Sequence, residues 1–131
     1  MGGAEDKKLL GRWGEEQAAA FLKRKKYKIT GLNYRCRFGE IDIIAENARY
    51  VVFVEVKLRR DARFAAAREF VNAAKQRRLI CAAEQWLCAN PTQKQPRFDV
   101  IEIYAAAGAV REINHIENAF DTDFMRAGRE K

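Results

Sequence analysis

The sequence predicts an α/β domain, a mixed β-sheet flanked by helices, with elements in the order αβββαβ(β). Three observations carry this. Apolar residues recur at helical spacing near the start of the chain and again in its middle. Short runs rich in Val, Ile, Phe and Tyr, several alternating with polar residues, lie between and after those stretches. Turn signals at Asn90-Pro91 and Ala107-Gly108 separate the later segments, and no repeat or low-complexity tract interrupts the pattern.

Residues Lys8 to Lys26 read as the first helix, with Leu10, Ala18, Phe21 and Leu22 on one side. Tyr27 to Tyr34 follows as a strand. Phe38–Glu46 and Tyr50–Arg59 then form a hairpin, with Ala48 and Arg49 as a two-residue loop. Val52, Val54, Val56 and Leu58 make one apolar face of the second hairpin strand. The other face begins with Val51 and Phe53 and turns charged at Glu55, Lys57 and Arg59. On the first hairpin strand Ile41, Ile43 and Ala45 share a face, with Glu40, Asp42 and Ile44 opposite. Ala65 to Cys88 reads as a long second helix stopped by Asn90-Pro91. A polar loop from Pro91 to Pro96 leads into a strand over Arg97–Tyr104, and Ala109–Ile116 is the final strand. Residues 1–118 form one domain, and 119–131 read as a frayed C-terminal tail.

The hairpin carries the chemistry. Its two-residue loop sets Asp42 directly opposite Glu55, and like charges facing each other across strands destabilise a sheet. A bound divalent cation is the simplest reason for such a pair. Glu55-x-Lys57 alone reads as a solvated strand face, because alternation puts both groups on one side. Asp42, twelve intervening residues earlier and at matched parity, turns the reading towards a site. Magnesium, or manganese in its place, takes oxygen ligands from one or two carboxylates and keeps several waters. Asp42 and Glu55 supply the carboxylates, and the Val56 carbonyl offers a third oxygen. Lys57 projects from the same face, where it can orient water or neutralise charge on a phosphate. This combination points to phosphodiester hydrolysis.

Composition agrees. The chain has 131 residues, 48% of them hydrophobic, enough for a real core. A formal charge of +7 suggests a polyanionic partner. No apolar run is long enough to span a bilayer and no secretory core segment is present, so a cytoplasmic location with no membrane partner is expected. Cys36, Cys81 and Cys88 lack metal-ligand spacing and read as reduced, partly buried thiols. His115, the single histidine, reads as surface or strand packing, which leaves metal-activated water as the expected base.

The D-x(12)-E-x-K arrangement resembles the PD-(D/E)XK nuclease superfamily, which includes many restriction endonucleases and the archaeal Holliday-junction resolvases. Four segments resemble the bacterial YraN family more closely: Gly14 to Ala19, Asn33 to Ile44, Val52 to Arg59, and Arg97 to Val100. The resemblance runs from about Gly11 to Asn118. It implies a restriction-endonuclease-like sheet and a magnesium-dependent, resolvase-like endonuclease acting on DNA rather than RNA. The superfamily often has proline before the first aspartate, where Ile41 stands here.

Glu15 lies on the apolar side of the first helix, with Ala18, Ala19 and Leu22 following at helical spacing. An acid there can simply complement the helix dipole. The resemblance instead implies a metal-site glutamate at Glu15, holding a water of the first metal or helping to bind a second. Arg35, Arg37, Arg59, Arg60, Lys75 and Arg78 ring the site in sequence and suit phosphate contacts without base readout. Related folds place a polar residue of the second helix near the scissile phosphate, which singles out Lys75 and Gln76. Lys23 to Lys26 reads as a solvated helix face. Arg97 and Asp99 read as a buried ion pair tying sheet to helix, in preference to an outer wall of the site. A junction resolvase needs paired sites to cut two strands, so a homodimer is expected on that reading. The competing readings are a non-catalytic nucleic-acid-binding module that keeps the fold, and a protein–protein adaptor whose charge is incidental.

Overall fold

Asn47 sets the central hairpin of the computed structural model, which describes residues 3–59 and 72–120, with side chains described from residue 10 onward. Its Oδ1 accepts hydrogen bonds from the backbone N–H groups of Arg49 (2.9 Å) and Tyr50 (2.8 Å). Its own N–H donates to the Tyr50 carbonyl at 3.1 Å, leaving Ala48 and Arg49 as the loop. Strands β2 (Gly39–Glu46) and β3 (Tyr50–Arg59) consequently pair antiparallel, Glu46 opposite Val51 and Ile43 opposite Val54. This is the register expected from sequence.

The hairpin is the middle of a five-stranded sheet in the order β1-β2-β3-β4-β5. Strand β1 (Lys28–Cys36) pairs antiparallel with β2, with a register shift between Ile29 and Gly31. Strand β4 (Gln95–Ala106) runs parallel to β3, and β5 (Ala109–Ile116) returns antiparallel beside β4. Parallel neighbours need a crossover, and helix α2 (Ala73–Ala89) lies in that connection. Helix α1 (Gly3–Arg24) precedes β1. The order αβββαββ is compatible with the restriction-endonuclease-like arrangement, and the bracketed last strand is present.

Two apolar layers sandwich the sheet. Ala18 and Leu22 of α1 pack with Ile43, Ala45, Val52, Val54, Ile101 and Ile103. On the other side Leu79, Ala82, Ala83, Trp86 and Leu87 of α2 pack with Ile44, Val51, Phe53 and Phe98. The alternating faces of β3 therefore serve opposite layers, as its sequence indicates. Phe53 meets the Trp86 ring edge-on, with centroids 5.8 Å apart.

Several boundaries differ from expectation, each for a local reason. Helix α1 ends at Arg24 because Lys26 takes a left-handed conformation (φ 73°). The Lys26 N–H then bonds the Lys23 carbonyl and the Tyr27 N–H the Leu22 carbonyl, each at 3.0 Å, closing the helix in a Schellman motif. Leu10 is 44% exposed rather than buried, lining an open hollow with Trp13 and Leu58. Helix α2 starts after Asn72, whose side chain caps it by accepting the Lys75 N–H at 2.9 Å. The earlier part of the expected helix, 65–71, lies outside the described residues. Strand β4 already begins at Gln95, inside the expected polar loop. Cys88 is exposed, whereas Cys36 and Cys81 are partly buried. Packing continues past residue 118: the Ala119 N–H donates to the Phe98 carbonyl (2.7 Å), and Phe120 stacks on Phe98 at 4.7 Å. The rest of the expected tail, 121–131, lies outside the described residues.

Arg97 and Asp99 form the buried ion pair. The guanidinium donates from Nε to Oδ1 (2.9 Å) and from Nη2 to Oδ2 (2.8 Å). His115 packs its 4%-exposed side chain here, Nε2 lying 2.7 Å from Asp99 Oδ2. No helix among the described residues is long and apolar enough to cross a membrane.

Candidate functional site

The β2–β3 ladder stops at Ile43 and Val54, although both strands continue. A strand residue sends its N–H and C=O to the same side. The Val56 N–H, aimed into the space where pairing has ended, donates to Asp42 Oδ2 at 2.8 Å. The Val56 carbonyl is therefore directed into the same gap. Ile41 also departs from simple alternation: it packs with Ile44 in the α2-side layer, not with Ile43 and Ala45. The strand loses its two-residue period at Asp42, where backbone pairing gives way to a side-chain bond.

Glu55 stands at the next step after the last paired residues, and only 11% of its side chain is exposed. Lys75 reaches it from α2, with Nζ 2.7 Å from Oε1, and Lys57 lies 3.6 Å from the same oxygen. Burial raises the Asp42 pKa to about 7, the Glu55 charge adds to the rise, and the Val56 N–H opposes it. Glu15 and Glu40 push Asp42 in the same direction. Burial raises the Glu15 pKa too, with Asn33 opposing and Glu40 and Glu55 adding. Glu15, Asp42, Glu55, Lys57 and Lys75 thus share one electrostatic cluster at the open end of the hairpin. Among the described residues, no three His, Cys, Asp or Glu side chains close tightly enough to hold a metal ion unaided.

The raised Asp42 pKa has a thermodynamic consequence. The folded form binds its proton up to about pH 7, whereas the unfolded chain releases it near the ordinary aspartate value of 3.8. Between those values the folded state holds more protons, so this group's contribution to stability falls as pH rises and is lowest above 7. Asp42→Asn, whose amide oxygen can still accept the Val56 N–H, should raise Tm at pH 8. Thermal unfolding across pH should show that gain shrinking to nothing by about pH 4. A pH-independent change would contradict the raised pKa.

The expected phosphate contacts distribute unevenly. Arg59 shares the β3 face of Glu55 and Lys57, with Nη2 3.5 Å from Glu102 Oε2. Arg35 is 77% exposed and 3.6 Å from Glu40. Arg37 is exposed, with its guanidinium 4.8 Å from the Phe38 ring centroid. Arg78 lies beside the β1–β2 turn, its Cβ 3.8 Å from where a side chain on Gly39 would begin. Gln76 is partly buried in the first turn of α2, and Arg60 lies outside the described residues.

The model of uncharacterised protein family UPF0102 matches residues 14–103, the span containing every carboxylate of this cluster. The chain belongs to this family. A UPF0102 protein of Geotalea daltonii is 46% identical over 120 residues, 91% of this chain and 94% of its own. One from Syntrophotalea carbinolica is 44% identical over 115 residues, covering 87% and 93% respectively. Another, from Caldanaerobacter subterraneus, is 42% identical over 118 residues, covering 88% and 97%. The expected YraN membership is thereby borne out.

Sequence reasoning missed two residues within the UPF0102 match. Glu102 is 1% exposed on β4, directly beside Lys57 in the parallel register. Its Oε1 accepts from Asn114 Nδ2 at 2.8 Å, and the Tyr104 hydroxyl lies 3.3 Å from it. An acid at an apolar parity between Val100 and Tyr104 was the available signal. Asn33, left-handed at φ 51° and acting on the Glu15 carboxyl, is the second. Its positive φ has no signature in the sequence beyond the residue type.

Proposed function

We propose that this protein is a metal-dependent endonuclease that hydrolyses phosphodiester bonds in DNA rather than RNA. The observation carrying this reading is the pair Asp42 and Glu55, two partly buried carboxylates at the end of a strand ladder with Lys57 beside them. Asp42 is held so that it ionises only near neutrality instead of in the ordinary aspartate range, a cost that a divalent cation would relieve.

The residues fit Mg2+ or Mn2+. All donors are oxygen, and two carboxylates with the Val56 carbonyl match an ion that keeps several waters and takes its remaining contacts from phosphate. Asp42 and Glu55 would hold it, and Glu15 would hold one of its waters or assist a second ion. A bound divalent ion supplies Lewis acidity towards a phosphodiester oxygen. Lys57 presents an ammonium on the Glu55 face to orient the attacking water or offset phosphate charge. Arg35, Arg37, Arg59, Arg60, Lys75, Gln76 and Arg78 would track the backbone. The preference for branched or structured DNA, and the homodimer needed to cut two strands, rest on resemblance to junction resolvases.

A second reading, a non-catalytic nucleic-acid-binding module, is favoured by the two lysines already paired with Glu55, since a structural ion network has that form. Incubating the full chain with labelled branched, duplex and single-stranded DNAs, with Mn2+, with Mg2+ and with chelator, separates the two. The nuclease reading predicts metal-dependent cutting of at least one substrate. Salt-dependent binding of all of them without cutting under any condition would select the binding module.

A further inference from the structure

Lys75 occupies a position that helix chemistry does not favour. It is the third residue of α2, bonded through its N–H to the Asn72 cap, and the first turn contains no acid. Glutamate at this position would complete a capping box and suit the positive end of the helix dipole. A lysine there runs against that dipole. Its compensation is Glu55, 2.7 Å away and on a different element. Burial acts to lower the Lys75 pKa, and the Glu55 contact more than reverses this, keeping the ammonium charged.

The two lysines at Glu55 are not equivalent. Lys57 sits on the same strand face, 3.6 Å from Oε1, and strand geometry fixes its origin two residues away. Lys75 contacts the same oxygen at hydrogen-bonding distance on a long side chain that is 33% exposed. The oxygen it covers is one of the two that Glu55 could offer a cation.

We propose that Lys75 is the resident counter-ion of the carboxylate pair: it competes with a divalent cation for Glu55 and is drawn off by a substrate phosphate, so that metal and nucleic acid bind cooperatively. This rests on the nuclease reading of the same site. Coupling of this kind is reciprocal, nucleic acid raising the affinity for metal as much as metal raises that for nucleic acid.

The test is calorimetric titration of Mn2+ alone into the full-length protein and its Lys75→Gln variant, with no nucleic acid present. Removing the competing ammonium should tighten Mn2+ binding by about two- to fivefold, in line with a partly exposed ion pair. Lys57→Gln should tighten it less. Lys75→Met, which keeps the aliphatic stem, is the second variant should Lys75→Gln fail to fold, folding being checked by circular dichroism. Unchanged or weaker Mn2+ binding in folded Lys75 variants, with the parent binding normally, would overturn the counter-ion role and leave the nuclease reading standing. No Mn2+ binding by the parent, with or without DNA, would overturn both.

Discussion

Asp99→Ala should lower Tm by roughly 10–20 °C, the size of shift that several kcal/mol produces in a domain of this length. The Asp99 side chain is fully buried and accepts both guanidinium bonds of Arg97, the Asn118 N–H at 3.0 Å, and a bond from His115. The histidine's role follows from its neighbours. Lys25 Nζ lies 2.8 Å from Nδ1, and an ammonium can only donate, so Nδ1 accepts and Nε2–H donates to Asp99. Truncating Asp99 leaves the Arg97 guanidinium, 10% exposed, with Tyr27 and the half-exposed Glu117 as polar partners and the Tyr50 ring centroid 4.6 Å away. Breaking a buried pair from one side costs about 3–5 kcal/mol, a large part of a typical stability of ~5–15 kcal/mol. Burial alone would raise the Asp99 pKa, but the His115, Arg97 and Asn118 bonds outweigh it and lower it. Its stabilisation is therefore present above the ordinary aspartate range and lost as pH falls towards the depressed value. Thermal melts reading a shift of only a few degrees would contradict this account of the network.

Asp42→Ala and Glu55→Ala should each reduce cleavage by at least about a hundredfold, the scale of losing a group that stabilises transition-state charge. Both side chains lie outside the two apolar layers, so neither change opens a core cavity. On the proposed function DNA binding at moderate salt should survive, because the basic residues proposed to track the backbone remain. Asp42→Asn adds a separate signature: a variant that gains stability at pH 8 while losing activity marks a group retained for function. Cleavage assays with folded variants cutting like the parent would remove Asp42 and Glu55 from the chemistry.

The sheet was largely legible in the sequence because two local signals agreed. The two-residue loop at Ala48-Arg49 set the hairpin register, and alternation along β3 assigned each side chain to a layer. Ile41 escaped because alternation assumes an unbroken ladder, and the ladder breaks at Asp42. The start of α2 escaped because Asn72 is followed at the third helical position by lysine, where a recognisable capping box would carry an acid. Of the candidate site, Asp42, Glu55 and Lys57 were grouped by the register of one hairpin, whereas Glu15 was added only through the family resemblance. The Lys75–Glu55 contact joins a helix to a strand across the crossover, and no spacing rule reaches that far. Glu102 is buried through partners on β3, β4 and β5, a combination that local patterning does not encode.

Titrating Mg2+ and Mn2+ by calorimetry into the full-length protein and an Asp42→Ala/Glu55→Ala double variant, with the same samples assayed on branched and single-stranded DNAs, tests the central claim most directly. The account predicts divalent-ion binding and cleavage in the parent, both lost together in the folded double variant. Equal metal binding and equal cleavage by the two proteins would contradict it.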